Sequence, residues 1–398
     1  MFRFLICSFS LVLLYPTAID LYLVGLPQIA TDLSVSDAEL HLAFSVYLAG
    51  MASTMIFAGK ASDTIGRKPV ALVGAVIFTL ASLLGGSTLD YHWFISARLL
   101  QGVGAGSCYV VAFAILRDVL DEHHRAKVLS MINGITCIVP VLAPVIGHLI
   151  MLQYPWSTLF SVMAAMGVVV GILTLFVLKE TKPTHTLSHD HLQRDKGQLE
   201  SFIQPKFLVY LVITSLGMTS ILTFVNVSPM LIMTKMGFDR GGYSSIMAAT
   251  ALVSMVTSFS APFLLNRCKP RVLLCTAKVI YAFAAVSLLV TYHAELDNTG
   301  YLLGFACICA AFSLGFGVSM SGALAPFSAR AGVASSVLGV TQVCVSALYI
   351  WGMGALGISA LMMLVVSVSL TSVISLLLIL WLAQKENVTT DEQTTQQA

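Results

Sequence analysis

Residues 4–26 read FLICSFSLVLLYPTAIDLYLVGL, and within that stretch a single residue, Asp20, is acidic. About 20 consecutive apolar residues are what an α-helix needs to cross the hydrocarbon of a bilayer. A carboxylate placed there costs about 2.5–3.5 kcal/mol on insertion scales, so an acid kept in a span is read first as functional. The other reading puts Asp20 near enough to the outer face to be hydrated. In the spans delimited below no second Asp or Glu occurs; Asp118 comes closest, at the cytoplasmic edge of one.

The rest of the composition agrees with a membrane protein. Of 398 residues 57% are hydrophobic and 10% charged, against about 25% charged in soluble domains; mean hydropathy is +0.89. The net charge of +2 says little by itself, and no nucleic-acid partner is expected. Eight cysteines are scattered through apolar runs with no CxxC pair and no Cys/His cluster of metal spacing. They read as small buried apolar residues, and no metal is expected. Arg3 ahead of an apolar run resembles a signal peptide, but the run continues without a small-residue cleavage site before Asp20. It reads as a retained first span that also serves as the targeting signal.

Twelve apolar runs of spanning length follow: 4–26, 42–59, 70–88, 93–116, 128–150, 157–178, 207–228, 243–265, 271–292, 301–322, 332–353 and 356–383. The fold class expected is therefore all-α and membrane-embedded, with twelve transmembrane helices in two pseudo-symmetric six-helix bundles. Residues 1–178 form the first bundle and 207–383 the second. The polar, His-rich stretch 179–206 is a cytoplasmic linker and 384–398 a cytoplasmic tail. With both termini inside, seventeen of 21 Lys and Arg fall on the cytoplasmic side, which fixes the orientation. Only Lys235 and Arg240 fall outside, while Arg98 and Lys278 lie within spans. The halves also resemble each other. Arg125–Thr136 (RAKVLSMINGIT) and Arg330–Thr341 (RAGVASSVLGVT) share six of twelve residues, and Lys68-Pro69 recurs as Lys269-Pro270. Both pairs face the same side, as in transporters built from two parallel repeats.

Between the second and third spans lies Gly59–Pro69, GKASDTIGRKP. Gly59 and Gly66 let backbones approach and turn sharply, and Asp63 offers a carboxylate to helix N-termini or to Arg67. The order of residues resembles the loop signature of the major facilitator superfamily, Gly-x-x-x-Asp-x-x-Gly-Arg-Lys. That resemblance implies a charge latch of Asp63, Arg67 and an acid closing span four, here Asp118, which holds the outward-open state. The second-half counterpart, Asn266–Arg271, lacks the Asp and the glycines.

Span four carries Ala97-Arg98-Leu99-Leu100-Gln101-Gly102-Val103-Gly104, similar to the family's Arg-x-x-Gln-Gly-x-Gly, whose Arg is tied to proton coupling. Asp20 and Arg98 lie at comparable depth, ~9 and ~8 Å from the outer ends of their spans, so charge coupling between them is one reading and snorkelling of Arg98 to the outer surface the other. Span five has Gly134, Pro140, Pro144 and Gly147, where the antiporter signature has Gly-Pro-x-x-Gly-Gly; two of those glycines are replaced here. Lys278 is read as reaching back to the cytoplasmic face along its stem.

The first span, Tyr15 to Leu23 followed by Leu26-Pro27, resembles the drug:proton antiporters of the bicyclomycin and chloramphenicol resistance group. By that resemblance Asp20 is the protonation site with Arg98. Tyr22, Tyr47, Gln101 and Tyr109, and more weakly Phe224 and Asn226, line the substrate cavity; helix packing is the competing role for the aromatics. The expected function is proton-coupled export of hydrophobic or amphipathic drugs by alternating access, in a bacterial inner membrane. The partners expected are small-molecule drugs, protons and lipid, for a monomer without cofactor, driven by the proton gradient. No catalytic triad and no nucleotide-binding loop is present, so an enzyme is not expected. Import of a small metabolite by the same frame is the alternative; the near absence of charge in spans seven to twelve favours an apolar cargo.

Overall fold

The computed structural model describes residues 2–120, 139–181, 202–327 and 331–397. Every regular element among them is helical. In chain order the α-helices are α1 (Phe2–Asp20), α2 (Leu26–Asp32), α3 (Asp37–Ile65), α4 (Arg67–Ser87), α5 (Tyr91–Val119), α6 (Val139–Met151), α7 (Ser157–Phe176), α8 (Pro205–Pro229), α9 (Arg240–Leu265), α10 (Pro270–His293), α11 (Thr299–Leu324), α12 (Ala331–Ala355) and α13 (Ala360–Gln397). Eleven stretches of this set are long and apolar enough to cross a membrane, α1 and α2 counting as one. α6 is shorter; the expected start of that span, residues 128–138 with Gly134, lies outside the described residues.

Local chemistry sets the helix ends. α3 starts in a capping box: the Ser36 hydroxyl accepts from the Glu39 N–H, and the Glu39 carboxylate accepts from the Ser36 N–H at 2.8 Å. The Asp90 carboxylate caps α5 by accepting from the His92 and Trp93 N–H groups. α3 runs on to Ile65, so the loop expected between spans two and three shrinks to Gly66. Its φ of 121° explains why a glycine stands there.

The first span is not one helix. α1 ends at Asp20, Tyr22–Gly25 forms a 3-10 turn, and α2 resumes at Leu26. Pro27 has no N–H for the carbonyl one turn earlier, so a regular α-ladder cannot pass through this point. A comparable irregularity follows Pro229, where Met230–Lys235 is a π-helix. The carbonyl that Pro229 leaves unpaired, that of Val225, accepts instead from the Ser228 hydroxyl at 2.9 Å. Side-chain hydroxyls commonly repair proline breaks in this way where water is absent.

The chain forms two compact units. The first comprises Met1–Gly197, Val225–Ala251 and Ala347–Ile358; the second comprises Gln198–Phe224, Leu252–Ser346 and Ser359–Ala398. In the first, α5 is the central helix, packed along α1, α3 and α4. The backbones of α3 and α5 meet at Gly102, where an added Cβ would collide with the Tyr47 carbonyl. Small residues at such crossings let helices gain van der Waals contact that lipid cannot supply. In the second unit α10 packs along α11 and α13. Hydroxyls bridge α8 and α13: Ser220 and Thr371 pair at 2.7 Å, and Thr371 donates to the Leu216 carbonyl. Large apolar side chains left exposed, such as Val272, Val279, Phe283, Val286 and Val290 along α10, form the faces a bilayer would cover.

The crossing makes a direct prediction. Gly102→Val should destabilise the protein by overpacking, of order 1–3 kcal/mol. Gly217→Ala, with nothing within 4 Å of the new methyl, should be neutral or gain up to about 1 kcal/mol from helix propensity. Unfolding midpoints of the two variants in detergent check this; equal midpoints would contradict the packing described.

Candidate functional site

Arg98 is fully buried on α5, 0% exposed, so it does not snorkel. Its guanidinium lies between two rings, with Tyr22 and Tyr47 centroids at 4.2 and 4.5 Å. Nη1 donates to the Ala18 carbonyl at 3.1 Å and to Gln101 Oε1 at 2.5 Å. Gln101 in turn donates to the Ser82 hydroxyl at 2.8 Å, which locks its amide orientation. Nε and Nη2 make no hydrogen bond among the described residues. A cation so placed is stabilised by ring quadrupoles and one carbonyl rather than by a counter-charge. Three N–H donors, one on Nε and two on Nη2, remain for something else.

Asp20, at the last position of α1, is 3% exposed. It forms no ion pair among the described residues; the two carboxylates that do are Asp63 and Asp118. Arg98 therefore touches the backbone two residues before Asp20 and not its carboxylate. A second tie flanks the acid: the Tyr47 hydroxyl donates to the Tyr15 carbonyl at 3.0 Å. Both clamps grip carbonyls within the turn or so of helix that ends at Asp20. Tyr15 also meets Tyr109 edge to face at 5.6 Å.

The other residues singled out from the sequence fall in separate places. Asn226 is buried in the same unit, its Nδ2 2.7 Å from His41 Nδ1. Phe224 lies in the second unit against Phe305, with centroids 5.2 Å apart. Pro144 and Gly147 on α6 are buried; the Pro144 carbonyl accepts from the Ser244 hydroxyl at 2.9 Å, and a Cβ on Gly147 would meet the Leu21 carbonyl. Pro140 is partly exposed on the same helix.

Where α3 gives way to α4, Arg67 bonds Asp63 at 2.5 Å and Asp118 at 2.8 Å, and Nη1 also donates to Ser62. Gly59 stands on α3 in ordinary contact, where a methyl would meet Val110 at 3.5 Å. The cluster holds a member that the sequence reading assigned to the linker. Glu180 accepts from the Arg67 and Lys68 backbone N–H groups at 2.8 and 3.2 Å, capping α4. A carboxylate is favoured there by the partial positive charge of a helix N-terminus. His41 was likewise missed; its short polar segment before span two offered no motif. Lys278, expected to snorkel, is 3% exposed and has its Nζ 5.5 Å from the Tyr281 ring centroid, so it does not reach the surface.

A profile of the Major Facilitator Superfamily matches residues 8–353. The chain is 60% identical over 380 residues to a protein of Vibrio parahaemolyticus named multidrug resistance protein MdtL, covering 96% of each. It is 57% identical to the protein of the same name in Shewanella oneidensis, covering 99% of each. Among solved structures, a D-xylose-proton symporter superposes with a TM-score of 0.80 at 14% identity, over 94% of this chain and 97% of that one. A nucleoside transporter, NupG, gives 0.71 at 12% identity over 95% and 98%. At such identities the structural likeness speaks to fold alone.

The charge cluster ranks its own members. Arg67 and Asp118 are both buried, whereas the Asp63 side chain is 58% exposed. Removing one partner of a buried pair costs about 3–5 kcal/mol, while an exposed pair contributes about 0–1 kcal/mol. Asp118→Ala should therefore lower the unfolding midpoint far more than Asp63→Ala. The reverse order, read from thermal unfolding in detergent, would refute this assignment.

Proposed function

Since this chain belongs to the Major Facilitator Superfamily, we propose that it is a multi-pass inner-membrane transporter exporting hydrophobic and amphipathic drugs in exchange for protons. The full-length relatives named for multidrug resistance support the cargo class. The observation that carries the coupling is Asp20, the one acid within residues 4–26, buried and free of any ion pair among the described residues.

Protonation turns this carboxylate into a neutral group that apolar surroundings tolerate, so its charge can change without breaking a salt bridge. The irregular backbone beside it supplies the mechanical link. Arg98 holds the Ala18 carbonyl and Tyr47 holds that of Tyr15, so any shift of the 3-10 turn on protonation is transmitted to α3 and α5. Arg98 is a fixed charge in this scheme, the N–H donors of its Nε and Nη2 available to a polar group of the drug. Tyr22, Tyr47 and Tyr109 give that drug aromatic surface, and Gln101 a polar amide beside them. The Asp63–Arg67–Asp118 latch, with Glu180, steadies the cytoplasmic end of the same helices as access alternates. Both termini lie in the cytoplasm, the two six-helix bundles being joined through 179–206.

In inverted vesicles energised to a proton gradient, adding a transported drug should partly collapse the gradient. Asp20→Asn should abolish that response and the resistance of the cells, whereas Asp20→Glu should retain part of both. Undiminished drug-driven proton movement in Asp20→Asn would refute the coupling. Tyr47→Phe, which keeps the ring over Arg98 and removes one hydrogen bond of about 1 kcal/mol, should slow exchange about tenfold or less. Arg98→Lys loses the planar contact with both rings and should slow it more, measured as initial rates of drug uptake by the same vesicles.

A further inference from the structure

The second compact unit holds a charge that the export scheme does not use. Lys278 lies on α10 about 12 Å from its cytoplasmic end, counting 1.5 Å per residue. Its ammonium makes no ion pair among the described residues, and Nζ lies 5.5 Å from the centroid of the Tyr281 ring. No neutralising acid is available from the spans of the second half. Neither α8 to α12 nor α13 as far as Lys385 contains an Asp or Glu. The fold itself does not call for a cation here. The buried stripe Lys278, Tyr281, Ala284 on α10 corresponds in spacing to the buried stripe Ala75, Phe78, Ala81 on α4, at an offset between those of the sequence repeats. The first half builds the same helix face from apolar residues alone.

Beside Lys278 is a cavity about one water in size. Its lining includes Lys278, Tyr281, Thr214, Gly217 and Ser319. The Tyr281 hydroxyl is buried with no hydrogen-bond partner. Thr214 and Ser319 donate to carbonyls of their own helices, those of Leu211 and Gly315. Of the polar side chains that line the cavity, Lys278 and Tyr281 have no hydrogen-bond acceptor among the described residues, while the Thr214 and Ser319 oxygens keep lone pairs. On the Gly217 side nothing lies within 4 Å of where a Cβ would stand, which leaves room beyond the water-sized space. A buried ammonium with no counter-charge among the described residues, beside a phenol hydroxyl that has no partner, favours an anion as its neighbour.

We propose that Lys278 and Tyr281 form a binding site for a small monovalent inorganic anion of halide size, which neutralises the buried ammonium. The ion receives hydrogen bonds from Nζ and from the Tyr281 hydroxyl, and it has no covalent step. This site stands independently of proton coupling at Asp20.

Chloride is the probe. The purified full-length protein is unfolded thermally in sodium gluconate and in increasing sodium chloride at constant ionic strength. A ligand that binds only the folded state raises the midpoint in a saturable way. The wild type should show a saturable rise of a few degrees. Lys278→Met should lose the chloride-specific rise, and Tyr281→Phe should weaken apparent chloride affinity about tenfold, the loss of one hydrogen bond to a charged group. A wild type insensitive to chloride, or a folded Lys278→Met with the full response, would overturn the site. Should Lys278→Met fail to fold, Tyr281→Phe decides alone: weakened affinity supports the site, and unchanged affinity refutes it.

Discussion

A bilayer interior offers no water to answer a charge, so each ionised side chain within it must be met by the protein or by something bound to it. Three groups in this chain meet that demand differently. Arg98 is enclosed by two tyrosine faces, a backbone carbonyl and a glutamine whose own amide is fixed by Ser82. Arg67 is answered by carboxylates at the membrane edge. Asp20 has neither arrangement among the described residues, and in the proposed cycle a proton neutralises it.

The break in the first span ties these elements together. Arg98 holds a carbonyl just before the point where the regular helix stops. Pro27 and the 3-10 turn at Tyr22–Gly25 interrupt that ladder one residue beyond Asp20, and α3 and α5 each reach a carbonyl just before it. The close approach of α3 to α5 at Gly102 brings Tyr47 and Arg98 into register. Backbone irregularity, small-residue packing and the buried cation are in this sense one construction. Proline breaks of this kind are tolerated where neighbouring side chains restore the lost hydrogen bonds.

The fold was largely legible in the sequence because hydropathy and span length are local properties. The helical membrane class, the placement of most spans and the encounter of Asp63, Arg67 and Asp118 follow from runs and motifs. Contacts that depend on which distant segments meet were not legible. Glu180 caps α4 only because the end of the sixth span arrives beside the start of the third, and nothing in Lys179-Glu180-Thr181 announces that. The comparable depth of Asp20 and Arg98 suggested contact between side chains, but depth fixes only one coordinate; the arginine reaches the Ala18 carbonyl instead. Lys278 was read as a surface-seeking cation because stem length is visible in sequence and the direction it takes is not.

The most direct test asks whether Asp20 itself exchanges the proton. Infrared difference spectra of the reconstituted protein, recorded on adding a transported drug, report the carbonyl stretch of protonated carboxylic acids. If Asp20 releases its proton to admit the drug, that band is lost on drug addition and the change is absent in Asp20→Asn. A band that stays constant in the wild type, or that is lost equally in Asp20→Asn, would contradict proton exchange at this residue.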